Sequence, residues 1–170
     1  MTVRNHVCVV AIPENPPMLA VPVDLSSQTT LYSGRAFHLD NAGMAYEGVT
    51  GANTPIFVAH RGVECPDVRG AKAVLSTATG SLPATASGHG MINGVILQPG
   101  MVILTTEYHT TGSYSINDNI CVATGSGRFK EAGAKGGTIA RVLEEGSGVN
   151  VAYNTTRSML KMLIVKNTRG

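Results

Sequence analysis

The chain has 170 residues, 43% of them hydrophobic and only 14% charged, with 20 glycines, eight prolines and no tryptophan. That length can bury about two-thirds of the surface its unfolded chain exposes, enough for one domain with a real core. A net charge of +2 gives no case for nucleic acid by itself, no run approaches the ~20 apolar residues of a membrane span, and three widely spaced cysteines exclude a full disulfide framework.

The N-terminus holds only a short apolar run, Val7 to Ile12, stopped by Pro13, and does not read as a signal peptide. Cys8, Cys65 and Cys121 read as reduced core residues of a protein made in the cytoplasm. An average soluble domain carries roughly 25% charged residues. A chain with so few has weakly charged surface that a partner covers more easily than water does, which points to oligomerisation or assembly. The charge is also uneven: residues 128–170 hold eight basic and three acidic side chains, and residues 1–127 hold five and eight. Only Phe129 and Tyr153 could stack beside that basic quarter, so it reads as a solvated face and no direct nucleic-acid contact is expected.

In chain order, Val3 to Ile12 predicts a first strand whose valines pack. Four of the eight prolines then fall between Pro13 and Pro22. Proline fixes φ and pushes the preceding residue toward extended geometry, so residues 1–28 read as a strand plus an extended arm with few internal hydrogen bonds. The arm needs a surface on which to bury Met18, Leu19 and Val21. Together with Pro13, Pro16, Pro17 and Pro22 these form the candidate protein interface. From Thr29 onward short strands alternate with turns such as Ser33-Gly34 and Asp40 to Gly43. Pro66 to Leu75 predicts a short helix interrupted by Gly70, and Ser76 to Asn93 a loop of small residues. The second half continues with strands at Met101 to Tyr108, Ile120 to Ala123, Thr138 to Leu143 and Ser158 to Lys166, with a Gly/Lys loop over 125–137. The expected fold is therefore mainly β, a small barrel or sandwich over 29–170, divisible at 29–93 and 94–170, with at most one or two short helices.

The search for chemistry finds no catalytic constellation, cofactor site or metal site. The five histidines lie far apart and the only close His–Cys pair is His6 and Cys8, on the same face of a strand, whereas a zinc site needs such pairs converging from two places. Gly125-Ser126-Gly127 lacks the strand-to-helix setting of a nucleophile elbow. Gly88 to Asn93 and Ala134 to Gly137 miss the spacing of phosphate loops. Glu144 and Glu145, adjacent in a strand, point to opposite faces. Asn154-Thr155-Thr156 matches a glycosylation acceptor and reads as a polar turn.

One stretch carries a resemblance. Leu97-x-Pro99-Gly100 followed by Met101 to Leu104, then Gly112-x-Tyr114 through Ile120, then Gly136-Gly137 and Thr138 to Leu143, resembles the glycine, strand, glycine-loop, return-strand order of head decoration (cement) proteins of tailed bacteriophages. Gly34 to His60 has a similar pattern, and the likeness covers about half the chain. The resemblance implies a β-tulip-like body, commonly a homotrimer, seated on the outer capsid face where major capsid protein subunits meet. It implies no enzymatic activity and a place in the virion. The competing readings are another virion part, such as a head fibre base, tail-tube or minor capsid protein, or a ligand-binding β-domain. Against sugar binding stand the 5% aromatic content and the missing tryptophan.

Overall fold

The computed structural model of the chain describes residues 6–24, 31–68, 71–74, 89–133, 137–146, 155 and 157–170. Among these there is no helix, and twelve strands form two antiparallel sheets. In chain order the strands are β1 (Cys8–Ile12), β2 (Met18–Asp24), β3 (Ala36–Leu39), β4 (Ala45–Glu47), β5 (Phe57–Val68), β6 (Ala71–Val74), β7 (His89–Ile96), β8 (Val102–Thr105), β9 (Asn119–Val122), β10 (Phe129–Glu131), β11 (Ala140–Gly146) and β12 (Met159–Ile164). The first sheet runs β1-β8-β12-β11-β9-β10 and the second β2-β7-β5-β3-β4, with β6 paired to β5. The two sheets are thus built from the two halves of the chain, except that β1 crosses over to join the second half.

The expectation of a mainly β fold holds, with three corrections. Neither sheet closes into a barrel. Within the helix predicted over Pro66 to Leu75, the described residues 66–68 and 71–74 are instead the end of β5 and the strand β6 that pairs with it: Val68 pairs Ala71 and Cys65 pairs Ala73. With β-branched Val68 and Val74 flanking the break at Gly70, the segment has a sheet to join and a poor helix interior. The loop expected over Ser76 to Asn93 gives way to strand from His89, and the Gly/Lys loop over 125–137 contains β10.

Side-chain alternation explains the two cores. In sheet two Ala36, Val58 and Val95 lie on one face and pack with Ile103, Val122, Phe129, Val142, Leu160 and Met162 of sheet one. The opposite face carries Phe37, Phe57, Ala59 and Ile92, with the two phenyl rings stacked at 5.4 Å. This second face is buried as well because sheet two curls: its edge strands β2 and β4 come against each other, and Val21, Val23 and Ala45 share one cluster. Curling the sheet that tightly leaves little room, and Gly94 sits where a Cβ would fall 2.5 Å from Phe37 Cζ.

The sheets are tied together by loops as well as by the core. Gly127 accepts a backbone hydrogen bond from Ala36 N–H at 2.7 Å, and Gly48 donates to Ala36 O at 2.9 Å. Gly48 has φ of +84°, and a Cβ there would lie 1.8 Å from Thr124 O, so only glycine brings the end of β4 this close to the β9–β10 turn. The last residues reach back from sheet one. Asn167 O accepts from Ile56 N–H at 2.8 Å, and Gly170 N–H donates to Ala52 O at 2.6 Å.

Candidate interaction surface

β1 and β2 are the first strands of their sheets, each paired on one side only among the described residues, and are joined by residues 13–17. Of seven large hydrophobic residues that are exposed among those described, four lie on β1, β2 and β7: Ile12 at 55%, Met18 at 52%, Leu19 at 43% and Met91 at 40%.

Register places Met18 and Met91 on one face. Directly opposed residues of an antiparallel pair share a face. Met18 opposes Val95 and Pro22 opposes Met91. Val95 belongs to the core between the sheets, so Met18, Ala20, Pro22 and Met91 face the same side, the side that sheet one covers elsewhere. All four are exposed. The inter-sheet core therefore continues outward as an apolar ledge. Exposed apolar surface that is continuous with a core is a feature of contact sites.

The predicted interface residues fall partly on this ledge. Pro13, preceded by a cis peptide bond, is exposed, Pro16 and Pro17 are half-buried, and Met18, Leu19 and Pro22 are exposed. Val21 is 2% exposed and belongs to the chain's own second core. The arm is also less free than its prolines imply, because all seven residues of Met18–Asp24 pair with β7. Met91 joins the surface without having been singled out in the sequence. Met91 lies in a segment whose glycines read as loop, and only the pairing of β7 with β2 brings it beside Pro22.

A second constellation is buried. Glu107, fully inaccessible, receives four basic side chains from four separate segments. Its Oε1 accepts from His6 Nδ1 at 2.6 Å and from Arg157 Nη1 at 3.1 Å, and its Oε2 accepts from Arg35 Nε at 2.8 Å, with Arg128 Nε 3.5 Å away. Arg35 also bonds Glu47 through Nη1, and its guanidinium lies 4.6 Å over the Tyr32 ring, on which His6 stacks at 4.1 Å. Burial alone would raise the Glu107 pKa. The hydrogen bonds and charges of His6 and Arg35 outweigh that and hold it down at about 2. Burial would likewise lower the Arg35 pKa, and its two carboxylate partners outweigh that and raise it. With Oε1 bonded to His6 and Arg157 and Oε2 to Arg35, the carboxylate is held by the chain's own side chains, and the cluster acts as a bolt joining the N-terminal segment, both sheets and the β9–β10 turn.

The remaining sequence candidates are dispersed. His6 is taken up by Glu107, whereas Cys8 packs in the inter-sheet core with its thiol pushed up to about 12 by burial. Cys8 and Cys121 are free buried thiols. His38 bonds Gly48 O through Nδ1 at 2.8 Å. No group of three or more potential metal ligands converges among the described residues. Glu144 opposes Lys161 across the ladder, and Glu145 accepts from Tyr108 O–H at 3.2 Å. Gly88, Ala134 to Gly136, Asn154 and Thr156 lie outside the described residues, as do the side chains of Cys65 and His89.

Compared with protein-family models, with characterised proteins and with solved structures, the chain matches none.

Proposed function

We propose that this chain is a non-enzymatic structural protein that binds the outer surface of an assembled phage capsid and stabilises the shell. The observation that carries the reading is the apolar ledge of Met18, Ala20, Pro22 and Met91, exposed on the inter-sheet side of β2 and β7. That surface offers an assembled protein partner an uncharged contact. The turn-and-strand pattern that resembles head decoration proteins supplies the class of partner, the major capsid protein, and the expected homotrimer. Stabilisation follows from mass action. A protein that binds the expanded shell and not its dissociated subunits favours the shell by about 2.7 kcal/mol per site when free protein is at a hundredfold excess over Kd. No cofactor is needed, and the site of action is the virion surface.

The test is co-sedimentation of the purified chain with empty, expanded shells of the major capsid protein encoded in the same genome, followed by thermal melting of the shells. Saturable binding with a raised shell melting temperature is the expected result. Shells that pellet without the chain at micromolar concentration overturn the reading.

A further inference from the structure

The hydrogen-bond pattern of β2 states what kind of segment its open edge accepts. In an antiparallel pair alternate residues direct their N–H and C=O toward the partner strand, and the residues between direct theirs away. Ile96 N–H donates to Pro17 O at 2.9 Å, so the Pro17–Ile96 position is a hydrogen-bonded pair. Counting along the register, Leu19, Val21 and Val23 face β7 (opposite Gly94, Ile92 and Gly90), while Met18, Ala20 and Pro22 turn their backbone groups outward. Proline falls at an outward position, where its missing N–H costs the ladder nothing. The outward edge thus offers N–H and C=O at Met18 and Ala20, and at Pro22 a carbonyl alone. Val21 and Val23 share a cluster with Ala45, which places the approach of β4 on the far half of β2, whereas Met18, Leu19 and Ala20 are exposed.

We infer that β2 is extended by strand addition: an extended, uncharged segment of the shell protein pairs with the outward backbone of Met18 and Ala20 and covers the ledge beside it. This rests on the capsid reading above and specifies its mode of attachment. No charged residue lies between Asn15 and Val23, so an uncharged segment is matched and a charged one would lose its hydration without compensation. A second copy of the chain fits less well. Two full backbone positions and four exposed apolar side chains fall short of the roughly 800 Å² per partner of a stable interface. An assembled shell, by contrast, presents the same segment many times and adds contacts of its own. Edge pairing of this kind takes its affinity from main-chain bonds and its selectivity from the side chains alongside.

The test separates the mode from the reading. Ala20→Pro removes one outward donor and leaves every bond to β7 intact, as Pro22 already does two residues on. Ala20→Ser keeps the donor and serves as the control. In co-sedimentation with the same expanded shells, Ala20→Pro is expected to bind at least about tenfold more weakly than wild type, and Ala20→Ser to bind as wild type does. Amide hydrogen exchange of wild-type chain gives an independent readout. Leu19 and Val21 are protected in the free chain, whereas Met18 and Ala20 become protected only on the shells. A folded Ala20→Pro chain that binds normally, or shell binding that leaves Met18 and Ala20 unprotected, overturns strand addition while leaving the capsid reading in place. If Ala20→Pro does not fold, the exchange pattern alone decides. Wild-type chain that fails to pellet overturns the reading and the mode together, and a β2-dependent dimer in sedimentation equilibrium assigns the edge to a second copy instead.

Discussion

The Glu107 cluster and the β1–β2 edge are opposite solutions to the problem of polar and apolar groups at the margin of a two-sheet fold. At Glu107 every oxygen of a buried carboxylate is taken, by side chains that arrive from residues 6, 35, 128 and 157. At the edge, apolar side chains are in water and half the backbone of a strand faces outward. One region commits both carboxylate oxygens to the chain's own side chains, and the other has capacity that the fold leaves unused. A cluster of buried charges is also an unusual place to look for stability, since the desolvation it costs is recovered only when all partners are present.

Removing the carboxylate is therefore the sharpest way to test the first half of that contrast. Glu107→Ala leaves Arg35 buried with a single partner and is expected to lower unfolding free energy by about 3–5 kcal/mol in urea titrations. The same carboxyl predicts an acid limb. Its folded pKa lies near 2, below its ordinary 4.5, so its contribution is complete above the ordinary value and is lost as pH falls from 4.5 toward 2. Thermal melts of wild type should decline across that window, and those of Glu107→Ala should decline less steeply. Gly48→Ala comes next. It strains a backbone with φ of +84° and drives a Cβ into Thr124 O, and it is expected to cost about 2 kcal/mol by the same titration. The smallest effect belongs to the edge: Met18→Lys puts a charge on a half-exposed position and is expected to change stability by less than about 0.5 kcal/mol. Measured on shells, the same substitution should abolish pelleting. A large stability loss from Met18→Lys would show that the ledge is covered within the chain, and the contrast between the regions would fail.

Strands with strong alternation could be read directly from sequence. Ala36 to Leu39, Met101 to Leu104 and Ser158 to Lys166 all stand close to where they were expected, because β-branched and aliphatic residues bounded by glycine turns carry both the period and its limits. The failures have specific causes. Gly90 and Gly94 made β7 look like loop, whereas Gly94 is small because the Phe37 ring occupies the space above it. The prolines of residues 13–22 implied an arm without hydrogen bonds. Local sequence cannot reveal that Pro22 falls on the outward phase of a ladder whose partner lies some seventy residues away. The Glu107 cluster was invisible for a related reason. A motif search relies on short spacings, and these partners are separated by 21 to 101 positions. The available hint was a carboxylate inside the threonine-rich strand Leu104 to Tyr108, where an unpaired charge would not be tolerated.

The phase of Pro22 makes β2 intolerant of changes in its length. Deleting or inserting one residue between Met18 and Val21 would rotate every later residue by half a period. Val21 and Val23 would leave the second core for solvent, and the proline would present its missing donor to β7 instead of to the outside. Substitutions along the open edge are tolerated one at a time, but single-residue insertions and deletions are not. Variation in this segment should therefore appear as exchanges of side chain at constant length, or as changes of two residues together.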